Sequence, residues 1–150
     1  MGYDFYGHEQ ADVTAVSAEY PGITNPKELY DALSGIWCEY TCAPRLRSDW
    51  SPENRTLGQC SITAFLVQDL LGGEVRGIPL ADGSVHCFNV VEGFPFDLTS
   101  AQFGDEALDY ENRPLQSREE HFADAGKRQR YELLKARLRE ARKGKHKREN

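Results

Sequence analysis

Residues 61–71, Ser-Ile-Thr-Ala-Phe-Leu-Val-Gln-Asp-Leu-Leu, constrain this chain more than any other stretch. Ile62, Ala64, Phe65, Leu66, Val67, Leu70 and Leu71 recur at helical spacing, but their apolar arc is too wide for a helix with one face in water. Gly72-Gly73 stops the pattern. Such a helix has to be surrounded, and the rest of the chain must supply the walls. A chain of 150 residues with 39% apolar residues, including 7 Phe, 7 Tyr and 2 Trp, has material for one such core. At this length a domain buries about 68–70% of its unfolded surface and needs no covalent staple.

The candidate walls are readable on both sides. Asn25 is a good N-cap, Pro26 suits the first helical position, and Glu28 stands three after the cap. Leu29, Leu33, Ile36 and Trp37 then follow at helical spacing, so a helix of about three turns is expected. Residues 42–58 form a long loop rich in Pro, Ser, Asn and Gly; a loop of this length inside a compact domain is usually functional or disordered, and Trp50, costly to leave in water, favours functional or packed. Downstream, residues 74–80, 85–91 and 94–99 read as three strands, separated by Ala81-Asp82-Gly83-Ser84 and Glu92-Gly93. Pro95 implies that the third is on an edge or starts late. Residues 104–116 are irregular. Ser117 with Glu120 forms a capping box for a short helix, Gly126 interrupts, and residues 127–142 form a last helix with Tyr131, Leu134 and Leu138 on one seam. The order is α+β: a central helix packed on a small antiparallel sheet, plus a C-terminal helix. The expected division is an N-terminal extension over 1–22, ordered in part through Tyr3, Phe5 and Tyr6, then a single domain over 23–142 and a charged flexible tail over 143–150.

Charge narrows the function. The net charge of −6 is unevenly placed: residues 127–150 hold 11 Lys/Arg against 3 Glu, leaving 7 basic and 21 acidic residues in the body. An acidic body argues against nucleic acid as its partner. No apolar run approaches the about 20 residues of a membrane-spanning helix. The start, Met1-Gly2-Tyr3-Asp4-Phe5-Tyr6, lacks the basic and apolar regions of a secretory signal. A cytoplasmic location follows, where Cys38, Cys42, Cys60 and Cys87 would be free, metal-bound or catalytic.

Cys60 stands at the start of the central helix, after Gly58-Gln59. Free N–H groups and the dipole at a helix start favour a thiolate, and the same N–H groups can stabilise an oxyanion. A His would then serve as general base and a carboxylate would orient it. His86 and Asp97 are the candidates. If Glu92-Gly93 is a two-residue hairpin turn, Val91 faces Phe94. His86, Phe88 and Val90 then share a face with Pro95, Asp97 and Thr99. His86 and Asp97 become diagonal neighbours, about 7–8 Å apart at the backbone. Asn89 falls on the opposite face, which makes it the weaker orienter, and a one-residue slip would reverse that order. Gln59, Trp37 and Trp50 carry N–H groups that could support an oxyanion. Against this, a Cys at the start of an apolar helix can be a plain small hydrophobe, and Asp97 can simply hold a turn.

Several blocks are also familiar. Asn54-Arg55-Thr56-Leu57-Gly58-Gln59-Cys60-Ser61-Ile62-Thr63-Ala64, running on into Val67-Gln68-Asp69-Leu70-Leu71-Gly72-Gly73, resembles the YunG-like family of bacterial proteins. So do His86-Cys87-Phe88-Asn89, Asp97-Leu98-Thr99 with Gln102-Phe103, Ile36-Trp37-Cys38-Glu39-Tyr40-Thr41-Cys42 and Arg130-Tyr131-Glu132-Leu133-Leu134. The likeness covers about residues 25–140, and its Gly-Gln-Cys block is the most specific part. More broadly, Cys on a helix, His on a strand and Asp on the next strand is similar to transglutaminase-like and other papain-like folds. That resemblance implies Cys60 as nucleophile, His86 as base and Asp97 as orienter in a cysteine-dependent amide or thioester hydrolase or acyltransferase without cofactor. The expected partner is a peptide or a small acyl or amide substrate. The chain departs from the usual strand pattern at Cys87-Phe88 and at Pro95.

Three rival readings remain. Cys38, Cys42, Cys60, His86 and Cys87 could supply zinc ligands, but the spacing of four between the first two is a weak signal. The basic C-terminal helix could attract nucleic acid or an acidic partner, although no aromatic residues interleave for base stacking. A degenerate papain-like fold could bind peptides without cleaving them.

Overall fold

The computed structural model describes residues 5–9 and 13–149, with side chains up to residue 143; Tyr3 and Asn150 lie outside this range. The expected core helix is α2, Cys60–Leu71, and nine of its twelve residues are buried. Helix α1, Pro26–Ser34, begins where its cap predicts: the Asn25 side chain accepts from the Glu28 N–H. It stops at Gly35 rather than running on to Trp37. Ile36 and Trp37 still enter the core, carried by a turn instead of a helix.

The sheet has three antiparallel strands in the order β1 (Glu74–Pro79), β2 (Val85–Val91) and β3 (Phe94–Phe96). Its register pairs Val91 with Phe94, Val90 with Pro95 and Asn89 with Phe96, as a two-residue turn at Glu92-Gly93 dictates. Strand alternation then divides the two faces. Cys87 and Val91 join the main core under α2, and the Asn89 side-chain amide donates to Ala64 O of α2 at 2.9 Å. Phe88, on the other face, packs with Ile78 and Tyr110 in a small second core.

The third strand is shorter than its sequence predicts. After Phe96 the chain turns: Asp97 Oδ1 accepts from the Thr99 N–H at 3.1 Å, and Asp97 O accepts from Ser100 N at 3.2 Å. A side-chain acceptor two residues back offers the backbone a turn in place of the ladder. The N-terminal segment covers this end, with the Asp97 N–H donating to Tyr6 O at 3.0 Å.

Helix α3, Arg118–Phe122, is capped by Ser117, which accepts from Glu120 N. The break that follows is at residues 123–124 rather than at Gly126. The long helix α4, Ala125–Glu149, starts where Asp124 Oδ1 accepts the Lys127 N–H at 3.1 Å. Its seam of Tyr131, Leu134 and Leu138 is buried against the core. The backbone helix runs through residue 149, beyond the end at 142 that the apolar seam suggests. Phe5, Val13 and Tyr20 of the segment before α1 also join the core. The molecule is therefore α+β: α2 is enclosed by a small antiparallel sheet, α1, α4 and the N-terminal segment. Among the described residues no helix is long and apolar enough to cross a membrane.

Candidate active site

The segment before Cys60 is shaped by a single glycine. Gly58 has φ +72, and a Cβ there would meet Cys42 Sγ at 2.5 Å and Ala43 N at 3.0 Å. Gly58 O in turn accepts from Ala43 N at 2.9 Å. This close approach of two backbones turns the chain into α2. The first intrahelical bond runs from Thr63 N to Gln59 O, and no side chain caps the helix. The N–H groups of Cys60, Ser61 and Ile62 are left without intrahelical acceptors, a positive helix end beside the thiol.

Cys60 lies at the Val85 end of β2, with Sγ 3.9 Å from Val85 O, and it lines a cleft of about 700 Å³. His86 and Cys87 are the side chains that most influence its charge. Its pKa is held well below the ordinary thiol range. The Cys87 hydrogen bond contributes most, and the hydrogen bond and charge of His86 add to it, together outweighing burial. The Cys87 thiol moves in the opposite direction, raised by its hydrogen bond to Cys60 and by burial. The two thiols are thus shifted in opposite directions.

His86 and Asp97 are both 1% exposed, and His86 Nε2 sits 2.6 Å from Asp97 Oδ2. With Nε2 committed, Nδ1 is the ring nitrogen available to Cys60. Phe103 packs edge-on against the imidazole, with ring centroids 4.7 Å apart. Burial lowers the His86 pKa, but the hydrogen bond and charge of Asp97, followed by those of Cys60, overcome it and push it up to about 10. Both shifts favour a thiolate–imidazolium pair at neutral pH.

Asp97 both holds the turn and meets the imidazole, one oxygen for each. Oδ1 accepts from Thr99 N and from Thr99 Oγ1, the latter at 3.2 Å. Oδ2 takes His86 and the Tyr110 hydroxyl, the latter at 2.8 Å. Tyr110 is pushed up by burial and the Asp97 charge, which keeps it a donor. Two buried donors and a turn fix the carboxylate before any ligand arrives.

The other N–H carriers singled out from the sequence are used elsewhere. Gln59 is fully buried, with its amide nitrogen donating to Cys38 O at 3.1 Å. Trp37 Nε1 donates to Thr63 Oγ1 at 2.9 Å, and Trp50 Nε1 to Arg55 O at 2.9 Å. Gln59 and Trp37 tie the 37–38 turn to the start of α2 and Trp50 closes its own loop, so the backbone N–H groups at the start of α2 are what the structure offers an oxyanion beside Cys60. Asn89 faces α2, away from His86. Cys38 and Cys42 are separate free thiols, and among the described residues no group of three or more His, Cys, Asp or Glu is arranged to hold a metal.

Sequence reasoning gave Cys87 only as a rival zinc ligand and Arg130 only as part of a familiar block, and it passed over Tyr110, His121 and Lys127 as site residues. Alternation assigns Cys87 to the face away from His86, which is correct, but that face is where the start of α2 packs. His121, Lys127 and Arg130 reach the cleft only because α4 packs on α2 and α3 packs on α4. The basic residues of the last helix carried a signal of charge, without its location.

The chain matches the family model described as "YunG protein" over residues 25–143. It is 37% identical over 89 residues to "Uncharacterized protein YunG" of Bacillus subtilis (strain 168), an alignment covering 59% of this chain and 75% of that one. No solved structure matches it significantly. The matched span contains the Cys60 helix, the His86 strand, the Asp97 turn and the start of α4, and the chain belongs to the YunG family.

Proposed function

We propose that the protein is a cysteine-dependent hydrolase or acyltransferase acting on an amide or thioester, with a papain-like Cys60–His86–Asp97 relay. The observation that carries this reading is the arrangement around one cleft: a thiol at an uncapped helix start, its pKa lowered in part by His86, whose Nε2 rests on a buried carboxylate at 2.6 Å. Burying a charged pair at this cost is common where groups must react and uncommon where they only fill space.

The residues divide the work as follows. The Cys60 thiolate attacks the carbonyl carbon and forms the C–S bond. The carbonyl oxygen gains negative charge within reach of the N–H groups that open α2. Imidazolium His86 gives its proton to the leaving amine or thiolate as that bond breaks. His86, now neutral, takes a proton from water or an acceptor amine, which attacks the thioester and frees Cys60. Asp97, held by Thr99 and Tyr110, keeps the imidazole oriented and stabilises its cation.

The test is labelling with cysteine-directed electrophilic probes, then a screen of amides and thioesters, comparing wild type with Cys60→Ala. Turnover and labelling that vanish in Cys60→Ala are expected. Turnover that survives the substitution would sink the proposal.

A further inference from the structure

The wall of the cleft facing Cys60 has an electrostatic character that the acidic body does not share. Arg130, from the second turn of α4, is 8% exposed and lines the cleft. Its Nη1 donates to Thr41 O at 3.0 Å, while its Nε is buried without a hydrogen-bond partner. Lys127, one turn earlier, lines the same wall and holds His121 Nδ1 at 2.9 Å. That leaves the proton of His121 on Nε2, where it faces Gln116 Oε1 at 2.9 Å. Burial, then Lys127, lowers the His121 pKa, so this ring stays neutral.

Of the cleft carboxylates, Asp124 acts on Lys127 and Arg130 through its charge, but neither cation is paired with it. Asp82 pairs with Arg45 at 3.4 Å and accepts from Ser84. Asp124 is occupied as the cap of α4. Among the described residues neither Arg130 nor Lys127 has a carboxylate within ion-pair distance. A buried guanidinium with no carboxylate at ion-pair distance and an unpartnered Nε is costly, and on a cleft wall beside a nucleophile a ligand group can supply the missing contact.

We propose that the cleft selects substrates bearing a carboxylate close to the bond Cys60 attacks, an acidic peptide or amino-acid amide, with Arg130 and Lys127 receiving that carboxylate. The inference rests on Cys60 being the nucleophile. Two small electrophiles of similar size separate the two ideas, since iodoacetate carries the carboxylate and iodoacetamide does not. Each alkylates a thiolate with loss of iodide.

The experiment measures both alkylation rates at Cys60 by mass spectrometry and compares their ratio with that of glutathione under the same conditions. The wild-type ratio should favour iodoacetate by about tenfold more than glutathione does, the size of one charge-assisted contact. Succinate should suppress the excess competitively. Lys127→Gln and Arg130→Gln should each lower the ratio several-fold. Arg130 also supports the 41–42 turn, so Lys127→Gln carries the test if the other variant misfolds. A wild-type ratio equal to that of glutathione overturns the proposal while leaving a reactive Cys60 in place. So does an equal slowing of both reagents in Lys127→Gln, because the cations would then serve only the thiolate. A Cys60 inert to both reagents near neutral pH removes the nucleophile and the inference together.

Discussion

Asp97 shows how one side chain can answer two structural demands. Its Oδ1 builds the turn that ends β3, and its Oδ2 anchors His86. Asp97→Asn should preserve the turn, because an amide oxygen can still accept from Thr99. It should move the onset of Cys60 alkylation to higher pH, since a neutral amide does not stabilise the imidazolium. Iodoacetamide labelling across a pH series reads this directly, and an unchanged profile would leave Asp97 as a turn residue alone. Asn89→Ala is the matching control. It strips Ala64 O of a buried donor and should cost about 1–3 kcal/mol of stability, seen as a lower denaturation midpoint, with the labelling profile in place. Cys87 acts on the same thiolate from the other side. Cys87→Ala removes the hydrogen bond that contributes most to the lowered Cys60 pKa, so labelling should again shift to higher pH with little change in stability. If Cys87 rather than Cys60 is the faster-alkylated thiol in the wild type, the assignment of thiolate and thiol is reversed.

At the scale of elements, the site depends on where α2 begins. Its start is set by the Gly58 turn and by the buried amide of Gln59, which ties α2 to the 38–42 segment. Gly58→Ala would place a methyl against Cys42 Sγ in a backbone region that L residues avoid. The expected result is a loss of at least about 1 kcal/mol in a denaturant titration, accompanied by slower Cys60 alkylation as the helix start shifts. A variant as stable and as reactive as wild type would show that the 42–43 backbone yields without disturbing α2. On the other side of the sheet, residues 104–116 are irregular because their polar groups serve β1 and the Asp97 site. Gln116 N donates to Val75 O at 2.9 Å, and Tyr110 reaches Asp97. A segment whose role is to satisfy other elements has no periodicity of its own to read.

For the whole molecule, the charged pair gives stability a particular pH dependence. The His86 pKa is raised from 6.5 to about 10, so its contribution is full below pH 6.5 and is lost as pH rises through the folded value. Cys60 is lowered from an ordinary value of 9.0, so its contribution is full above pH 9 and is lost as pH falls through its folded value. Between about pH 6.5 and 9 folded and unfolded chains bind equal numbers of protons at these two sites, and the opposing slopes cancel. The site's contribution should therefore be level across that window and fall above pH 9. Cys60→Ala removes one slope, leaving stability to decline steadily from pH 6.5 upward. Denaturation midpoints at matched ionic strength check this, and parallel curves for the two proteins would show that the pair is not ionised.

Local information was enough for much of this architecture. The cap at Asn25, the capping box at Ser117, the apolar run of α2 with its glycine stop and the two-residue turn at Glu92-Gly93 act through neighbours a few positions apart. The hairpin turn also sets which residues share a face, so His86 and Asp97 were legible as a pair and Asn89 as a member of the opposite face. What the tertiary structure decided is where long-range packing sends each polar group. Gln59 and Trp37 donate into the interior because the chain around them folds onto the start of α2, while Trp50 donates to Arg55 O within its own loop. The N-terminal segment closes over Asp97 through Tyr6. Cys87 meets Cys60 because α2 lies on that face of the sheet, and Lys127 and Arg130 reach the cleft because α4 packs back across α2. Periodicity records which side of an element is apolar, but it holds no record of which element that side will meet.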